Sequence, residues 1–313
     1  MSVRSLLLLG VAVGLAYAQA PITRTQIMMG TYVSITLESS KKALFAPAFA
    51  TMKAVEMALS SYDKKAEIYQ LNQHRQSAIS LYTYEALRDA KRYYSESDGA
   101  FDISVGSITK ELYRFGEAQQ IPSSAALQKA VINFKGIHFN STKAWLDRGV
   151  CVDLGGMGKG YGVDKVAQFL KSRGVEDAQI RASGDIKCFQ SCAIAIQNPF
   201  GDGTVAQFQT QLPYSAISTS GNYERYVEDT SHNHLIDPKQ KRAANNFASI
   251  TLVGTFSNGD LDAYATAASV MEYDAAIAFL EKRDVWYFLV GVDGAITYKP
   301  SETFIKNLVI SKP

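Results

Sequence analysis

Apolar residues recur along the chain with two different periods, which predict helices and strands. Helical spacing occurs in residues 46–60, in residues 81–97 and, after Val163, in a segment that ends at Arg173-Gly174. Alternating β-branched runs predict strands, and such runs occupy residues 28–38, 178–183, 192–197, 204–212, 247–254 and 286–298. Because no internal repeat or linker separates these elements, the pattern predicts one α+β domain.

The N-terminus carries the pattern of an export signal. Residues 1–4 are short and basic, residues 6–15 are apolar, and residues 16–18 have the A-x-A form of a cleavage site. The apolar run is too short for a stable membrane span, and no cysteine follows it for a lipid anchor. We therefore predict a signal peptide at residues 1–18, a mature domain at residues 19–313 without a transmembrane segment, and a periplasmic location.

Composition and charge narrow the class of partner. The chain has 313 residues, of which 47% are hydrophobic, and a formal net charge of +2. These values fit a packed globular protein and provide no overall field that would recruit nucleic acid. Export makes a disulfide possible. Cys188 and Cys192 bracket a predicted tight hairpin and could pair, although the connectivity stays open, and Cys151 is expected to be a buried apolar residue.

Residues 152–166, VDLGGMGKGYGVDKV, place five glycines around Lys159. The stretch fails the Rossmann fingerprint, which needs Gly or Ala at its sixth position, and it fails the P-loop because Gly160 follows the lysine. What remains is a strand, a glycine loop with one lysine and a helix N-terminus, which together favour an anion. A tight strand–helix connection explains the same stretch about equally well.

Eight short motifs in a fixed order carry a family resemblance. They are MGT (29–31), SSYDKKAEIYQLN (60–72), DGAFDISVG (98–106), VDLGGMGKGYGVD (152–164), GD (184–185), STSGNYERY (218–226), HLIDP (234–238) and DAYAT (262–266). Together they resemble the ApbE family of exported FAD:protein FMN transferases, some of which act as FAD pyrophosphatases. The resemblance implies an α+β, T-fold-like domain with antiparallel-rich sheets flanked by helices, and it implies bound FAD and Mg²⁺.

The resemblance also implies a magnesium site. Asp262 and Thr266 lie four residues apart on one face of a predicted helix, and Mg²⁺ prefers such hard oxygen ligands. The resemblance adds the backbone carbonyl of Gly158, where the family usually has Ala. Taken alone, Asp260 and Asp262 would be assigned to capping the helix, and Thr266 to a hydrogen bond with a carbonyl.

Other residues are assigned to FAD by the resemblance. Lys159 is the expected counter-charge of the pyrophosphate. His234 is expected to contact the flavin or a phosphate, and either His234 or Asp262 is the candidate to take up a proton. The remaining expected contacts are Met29, Tyr62, Ala100, Phe101, Asp102, Tyr161, Thr219, Ser220 and Gly221. In isolation, each of these has a plain interpretation as a core or turn residue.

These expectations predict an Mg²⁺-dependent FAD:protein FMN transferase. A Thr or Ser hydroxyl of an acceptor flavoprotein would attack the phosphorus nearer the riboflavin, and AMP would leave. Water in the same position would make the chain an FAD pyrophosphatase. A flavin-binding or trafficking protein without chemistry is a third hypothesis, against which the Asp262–Thr266 pair argues.

Overall fold

The computed structural model describes residues 20–311, so the predicted signal peptide lies outside the described residues. Within this range the chain is a mixture of helices and strands, which confirms the predicted α+β class. The helices are α1 (Phe45–Leu59), α2 (Glu67–His74), α3 (Leu81–Glu96), α4 (Gly106–Thr109), α5 (Ser124–Lys129), α6 (Gly158–Ser172), α7 (Asn258–Ser269) and α8 (Tyr273–Glu281). None of these helices within residues 20–311 has the length and apolar character needed to cross a bilayer.

The strands fall into one large sheet, two small sheets and two short hairpins. In chain order they are β1 (Ile22–Met28), β2 (Thr31–Leu37), β3 (Gln76–Ala78), β4 (Ile137–Phe139), β5 (Lys143–Leu146), β6 (Ala178–Ala182), β7 (Asp185–Cys188), β8 (Ala193–Gln197), β9 (Thr204–Thr210), β10 (Ser215–Gly221), β11 (Tyr226–Val227), β12 (Asp229–Asn233), β13 (Ile236–Asp237), β14 (Arg242–Ala243), β15 (Phe247–Gly254), β16 (Trp286–Gly291), β17 (Ile296–Tyr298) and β18 (Ile305–Ile310).

The large sheet is antiparallel and has the order β1-β2-β6-β7-β10-β15-β16-β17. Every residue of β15 and β16 is buried, because both faces of the sheet are covered. The sheet β18-β9-β8 covers one face, where Phe208 packs against Trp286. Helices cover the other face, which places the largest apolar cluster between the sheet and α1, α3 and α7.

The strand predicted at residues 28–38 is confirmed over Thr31–Leu37 as β2, but its first residue, Met28, ends the preceding strand β1. Met29 and Gly30, both with positive φ, form the turn between β1 and β2. The helices predicted at residues 46–60 and 81–97 are confirmed as α1 and α3, and the helix predicted to end at Arg173-Gly174 is confirmed as α6.

Cys188 and Cys192 form a disulfide, with their Cα atoms 6.2 Å apart. The tight hairpin predicted between them is wrong, because β7 pairs with β6 and β10 in the large sheet whereas β8 pairs with β9 in a small one. The disulfide therefore joins the end of β7, in the large sheet, to the residue before β8, in a small sheet. Cys151 is free and buried, as expected, and burial raises the pKa of its thiol to about 12.

Helices α6 and α7 cross at very short range beside the large sheet. The crossing point is Gly160, where a Cβ atom would collide with the backbone carbonyl of Asn258. Asp164 of α6 accepts the backbone N–H groups of Asn258 and Gly259, each at 2.9 Å, so one helix caps the N-terminus of the other.

The side chain of Asn258 fixes this pair of helices to the sheet. Its amide nitrogen donates to the carbonyl oxygen of Ile186 in β7 at 2.8 Å and to that of Ile217 in β10 at 3.0 Å. Since Asn258 is buried, these bonds are shielded from water. The first turns of α6 and α7 are thereby held against the same two strands.

The crossing makes Gly160 intolerant of a side chain. We expect Gly160→Ala to lower the free energy of unfolding by about 2 kcal/mol, because the helices must separate to admit a methyl group. The matched control is Gly201→Ala, since a Cβ at Gly201 meets no atom within 4 Å. Urea unfolding followed by Trp fluorescence measures both, and equal stability of the two variants would contradict the close crossing.

Candidate active site

Lys159, in the first turn of α6, lies between two carboxylates. Its Nζ is 3.2 Å from Oδ2 of Asp185 and 3.4 Å from Oδ2 of Asp262. The close crossing at Gly160 produces this arrangement, because the backbone N–H of Gly160 also donates to Asp262 at 3.2 Å. The glycine loop, α7 and β7 thus meet at one charged cluster.

Asp185 is the most enclosed acid of this cluster. It is completely buried, and its Oδ1 accepts a hydrogen bond from Ser218 at 2.7 Å. Its Oδ2 has no hydrogen bond of good geometry, although it lies near Lys159. Burial and the charge of Asp262 raise the pKa of Asp185 to about 7. Two carboxylates beside one ammonium leave one negative charge to be balanced when both acids are ionised.

Thr266 lies one turn after Asp262 and faces the glycine loop. Its hydroxyl donates to the carbonyl oxygen of Gly156 at 3.2 Å, and a Cβ at Gly156 would come within 2.9 Å of the threonine methyl. The carbonyl that the structure brings to Thr266 is therefore that of Gly156. Gly158, the predicted carbonyl ligand, begins α6, and its N–H donates to Leu154 at 2.8 Å, so its role as a ligand stays a prediction.

This donor set fits a hard cation. Within residues 20–311, no three His, Cys, Asp or Glu side chains are grouped closely enough to hold a metal by themselves. The buried carboxylate of Asp262, the hydroxyl of Thr266 and a loop carbonyl are oxygen donors, and the cluster has excess negative charge when Asp185 and Asp262 are both ionised. Such a partial set suits Mg²⁺, which keeps waters and takes further ligands from phosphates.

His234 follows β12, and its ring is oriented by Arg225. The backbone carbonyl of Arg225 accepts the backbone N–H of His234 at 3.1 Å and lies 3.0 Å from its Nδ1. A carbonyl is an acceptor, so Nδ1 carries the proton and Nε2 carries the lone pair. Burial, together with the charges of Arg225 and Lys159, lowers the pKa of His234 to about 4. The ring is therefore neutral at pH 7, with its lone pair on Nε2.

Tyr62, 36% exposed, lies between two cations. The guanidinium of Arg225 donates to its hydroxyl at 2.9 Å, and Nζ of Lys110 lies 3.4 Å from its ring centroid. Lys110 is held by Asp153 of the glycine loop at 3.5 Å. Tyr62 therefore connects the loop with the segment that carries His234.

Met29 lies beside the start of α6. Its backbone N–H donates to Glu56 of α1 at 2.7 Å, and a Cβ at Gly158 would lie 3.8 Å from its methyl carbon. Met29 thus provides apolar surface next to the glycine loop, and its expected contact with FAD stays a prediction.

The Ala100-Phe101-Asp102 stretch forms a turn with its own contacts. Phe101 is buried and packs edge-on against Tyr93, with centroids 5.5 Å apart. Oδ1 of Asp102 accepts the N–H and the hydroxyl of Ser104, both at 2.7 Å. The contact of this stretch with FAD stays a prediction.

Four other predicted contacts make bonds within the fold. Tyr161 is buried, and its hydroxyl donates to Glu85 at 2.8 Å. The hydroxyl of Thr219 in β10 lies 2.9 Å from that of Thr251 in β15, and Ser220 and Gly221 end β10. Their contacts with FAD stay predictions.

Sequence reasoning missed four charged residues of the site. Asp185, Asp153 and Arg225 all lie inside motifs that were recognised, but nothing in those motifs distinguished them from neighbouring polar residues. Lys110 lies outside every motif, and only the fold brings it to Tyr62.

The burial of Asp102 can be tested through the pH dependence of the free energy of unfolding. Burial raises its pKa to about 6, whereas the ordinary value is 3.8. Because the unfolded state loses this proton first, stability falls as the pH rises from about 4 to about 6. Asp102→Asn removes the charge and keeps an acceptor for Ser104. We expect it to stabilise the protein by about 2 kcal/mol at pH 7 and by much less at pH 4, in urea unfolding.

Asp98→Asn is the matched control, at a fully exposed acid of the same segment. It should show no such dependence on pH. Destabilisation of Asp102→Asn at pH 7 would contradict the burial account. A loss of FAD affinity in the same variant, measured by calorimetry, would support the predicted FAD contact.

The chain matches known proteins over most of its length. A model of the ApbE family matches residues 29–289. The FAD:protein FMN transferase of Vibrio cholerae is 30% identical over 251 residues, which is 75% of this chain and 75% of that protein. The protein of the same name from Haemophilus influenzae is 29% identical over 282 residues, covering 82% of this chain and 81% of that protein.

Solved structures show the same architecture. The flavin transferase ApbE from Vibrio cholerae has a TM-score of 0.79 at 25% identity, over 91% of this chain and 98% of that chain. The ApbE protein of Thermotoga maritima has a TM-score of 0.81 at 25% identity, with the same coverage. Sequence, fold and the ordered motifs around Lys159, His234 and Asp262 agree, and this chain belongs to the ApbE family.

Proposed function

We propose that the chain is an FAD:protein FMN transferase, which moves FMN from FAD to a Thr or Ser hydroxyl of an exported flavoprotein and releases AMP. The observation that carries the proposal is the glycine-rich N-terminus of α6, with Lys159 beside Asp185 and Asp262. The names of its relatives support the same activity.

The pyrophosphate of FAD would bind at the start of α6. Helix N-termini attract anions through the helix dipole. Lys159 is the cation in this first turn, and the adjacent glycines let a ligand approach the backbone. The flavin would then extend toward Met29 and Tyr62.

Asp262, Thr266 and a loop carbonyl from Gly156 or Gly158 would hold Mg²⁺. Bound there, Mg²⁺ would neutralise charge on the pyrophosphate oxygens. Of the two carbonyls, that of Gly156 already contacts Thr266, and that of Gly158 is supported by the family resemblance.

His234 is the group that this chain offers as general base. Its Nε2 would accept the proton of the acceptor hydroxyl while the hydroxyl oxygen forms a bond to the phosphorus nearer the riboflavin. The bond from that phosphorus to the bridging oxygen breaks, and AMP leaves with the electron pair. Lys159 and the first turn of α6 would hold the phosphates in line during this exchange.

We also propose that the protein is exported to the periplasm. The Cys188–Cys192 disulfide supports this, since disulfides persist in oxidising compartments. The signal-like pattern of residues 1–18 supports the same location.

The activity is tested by incubating the protein with FAD, Mg²⁺ and a candidate acceptor flavoprotein, followed by mass spectrometry. We expect an FMN adduct on the acceptor. Asp262→Asn keeps an acceptor for the N–H of Gly160 but removes the charge, and it should reduce transfer at least about 100-fold. Asp274→Asn, at an exposed acid of α8, is the matched control.

Each outcome of this experiment has a defined meaning. Free FMN and AMP without an adduct would indicate an FAD pyrophosphatase and not a transferase. FAD that is bound by the protein but chemically unchanged would indicate a flavin-binding protein without catalytic activity. Full transfer activity of the Asp262→Asn variant would contradict the proposed metal site.

The role of His234 predicts the pH dependence of transfer. Since the pKa of His234 is lowered to about 4, the base is already neutral at pH 5. The acidic limb that depends on His234 should therefore lie at about pH 4 and not near 6.5, the ordinary pKa of histidine.

His234→Gln should lower kcat at least about 100-fold. His138→Gln, which alters an exposed histidine paired with Asp147, should leave kcat unchanged. An active His234→Gln variant would exclude His234 as the base, and a His234-dependent limb near pH 6.5 would contradict its lowered pKa.

A further inference from the structure

Arg225 contacts two parts of the site at once. Its backbone carbonyl receives both the backbone N–H and Nδ1 of His234. Its side chain reaches Tyr62, 163 residues away in sequence, with Nη1 donating to the tyrosine hydroxyl at 2.9 Å. The guanidinium also lies near the β1–β2 turn, where a Cβ at Gly30 would be 3.8 Å from Nη2.

The segment that carries Arg225 has little secondary structure to fix it. Strand β11 is only two residues long, and its pairing with β12 is irregular. Tyr226 and residues 228–231 are exposed. The carbonyl of Arg225 meets His234 within this segment, and the Arg225–Tyr62 hydrogen bond ties the segment to the body of the protein.

Tyr62 is held in place by contacts that begin at the glycine loop. Lys110 lies over its ring and is held by Asp153. Asp153 accepts the N–H of Gly155 at 2.9 Å and the hydroxyl of Thr109 at 2.6 Å. These contacts form a continuous series from the glycine loop through Asp153, Lys110 and Tyr62 to Arg225.

We propose that Arg225 is a positioning residue, which orients His234 through its carbonyl because its side chain is anchored on the Tyr62 hydroxyl. The glycine loop and the general base are thereby held in one geometry. This inference rests on the proposed function, because His234 needs a fixed orientation if it is the general base of FMN transfer.

Tyr62→Phe separates positioning from charge. It removes the anchor but keeps the aromatic ring, the Lys110 contact and the charge of Arg225. Arg225→Met removes anchor and charge together. If orientation is the main effect, the two variants resemble each other; if the positive charge is the main effect, only Arg225→Met changes His234.

The kinetic test measures kcat and KM for FAD in FMN transfer. We expect both variants to lower kcat about 10-fold with KM changed less than about twofold, as for a misplaced base. The double variant should be no worse than either single one, because both break the same contact. Arg242→Met, at an exposed arginine of β14 that bonds only Gln240 among the described contacts, is the matched control.

A second readout does not depend on activity. The chain has four histidines, so nitrogen chemical shifts of the full-length protein, assigned with His234→Gln, report the tautomer of each ring. We expect the Nδ1–H form for His234 in the wild type and in Arg242→Met, and a mixture of tautomers in Tyr62→Phe and Arg225→Met.

The two readouts separate the possible failures. A wild-type Nδ1–H tautomer retained in Tyr62→Phe, or additive losses of kcat in the double variant, would overturn the positioning role. If the wild type transfers no FMN, the proposed function fails, while the tautomer measurement still decides whether Tyr62 anchors Arg225.

Discussion

The candidate site depends on the crossing of α6 and α7. The absence of a side chain at Gly160 lets the helices meet, Asp164 caps one helix from the other, and Asn258 fixes both to β7 and β10. Because the first turns are held in this way, Lys159 and Asp262 are neighbours although 103 residues separate them. A separation of the helices by the width of a methyl group would disrupt this contact.

The charged residues of the site lie in two regions, one around Lys159 and one around His234. Around Lys159, two buried carboxylates outnumber the single cation, which suits a site that takes up a further cation with its substrate. Around His234, burial and the positive charges of Arg225 and Lys159 lower the pKa of the imidazole and keep it neutral. The site thus combines a carboxylate cluster at Lys159 with a neutral imidazole at His234.

Local sequence patterns predicted helices α1, α3 and α6 and the DAYAT helix face, because periodicity and caps are properties of neighbouring residues. They failed where the outcome depends on distant partners. A tight hairpin was expected between Cys188 and Cys192, yet the chain changes sheets there, since β7 finds its partners in β6 and β10. The pairing of Lys159 with Asp185, and of Lys110 with Tyr62, likewise arises from packing and leaves no local signal.

We propose that FAD binds with its pyrophosphate at the crossing of α6 and α7. The most direct measurement is a crystal structure of the protein with FAD and Mn²⁺ in place of Mg²⁺, in which anomalous scattering locates the metal. We expect phosphate oxygens within hydrogen-bonding distance of Lys159 and the first turn of α6, with the metal bound by Asp262 and Thr266. A pyrophosphate bound away from α6, or a metal that contacts neither Asp262 nor Thr266, would contradict it.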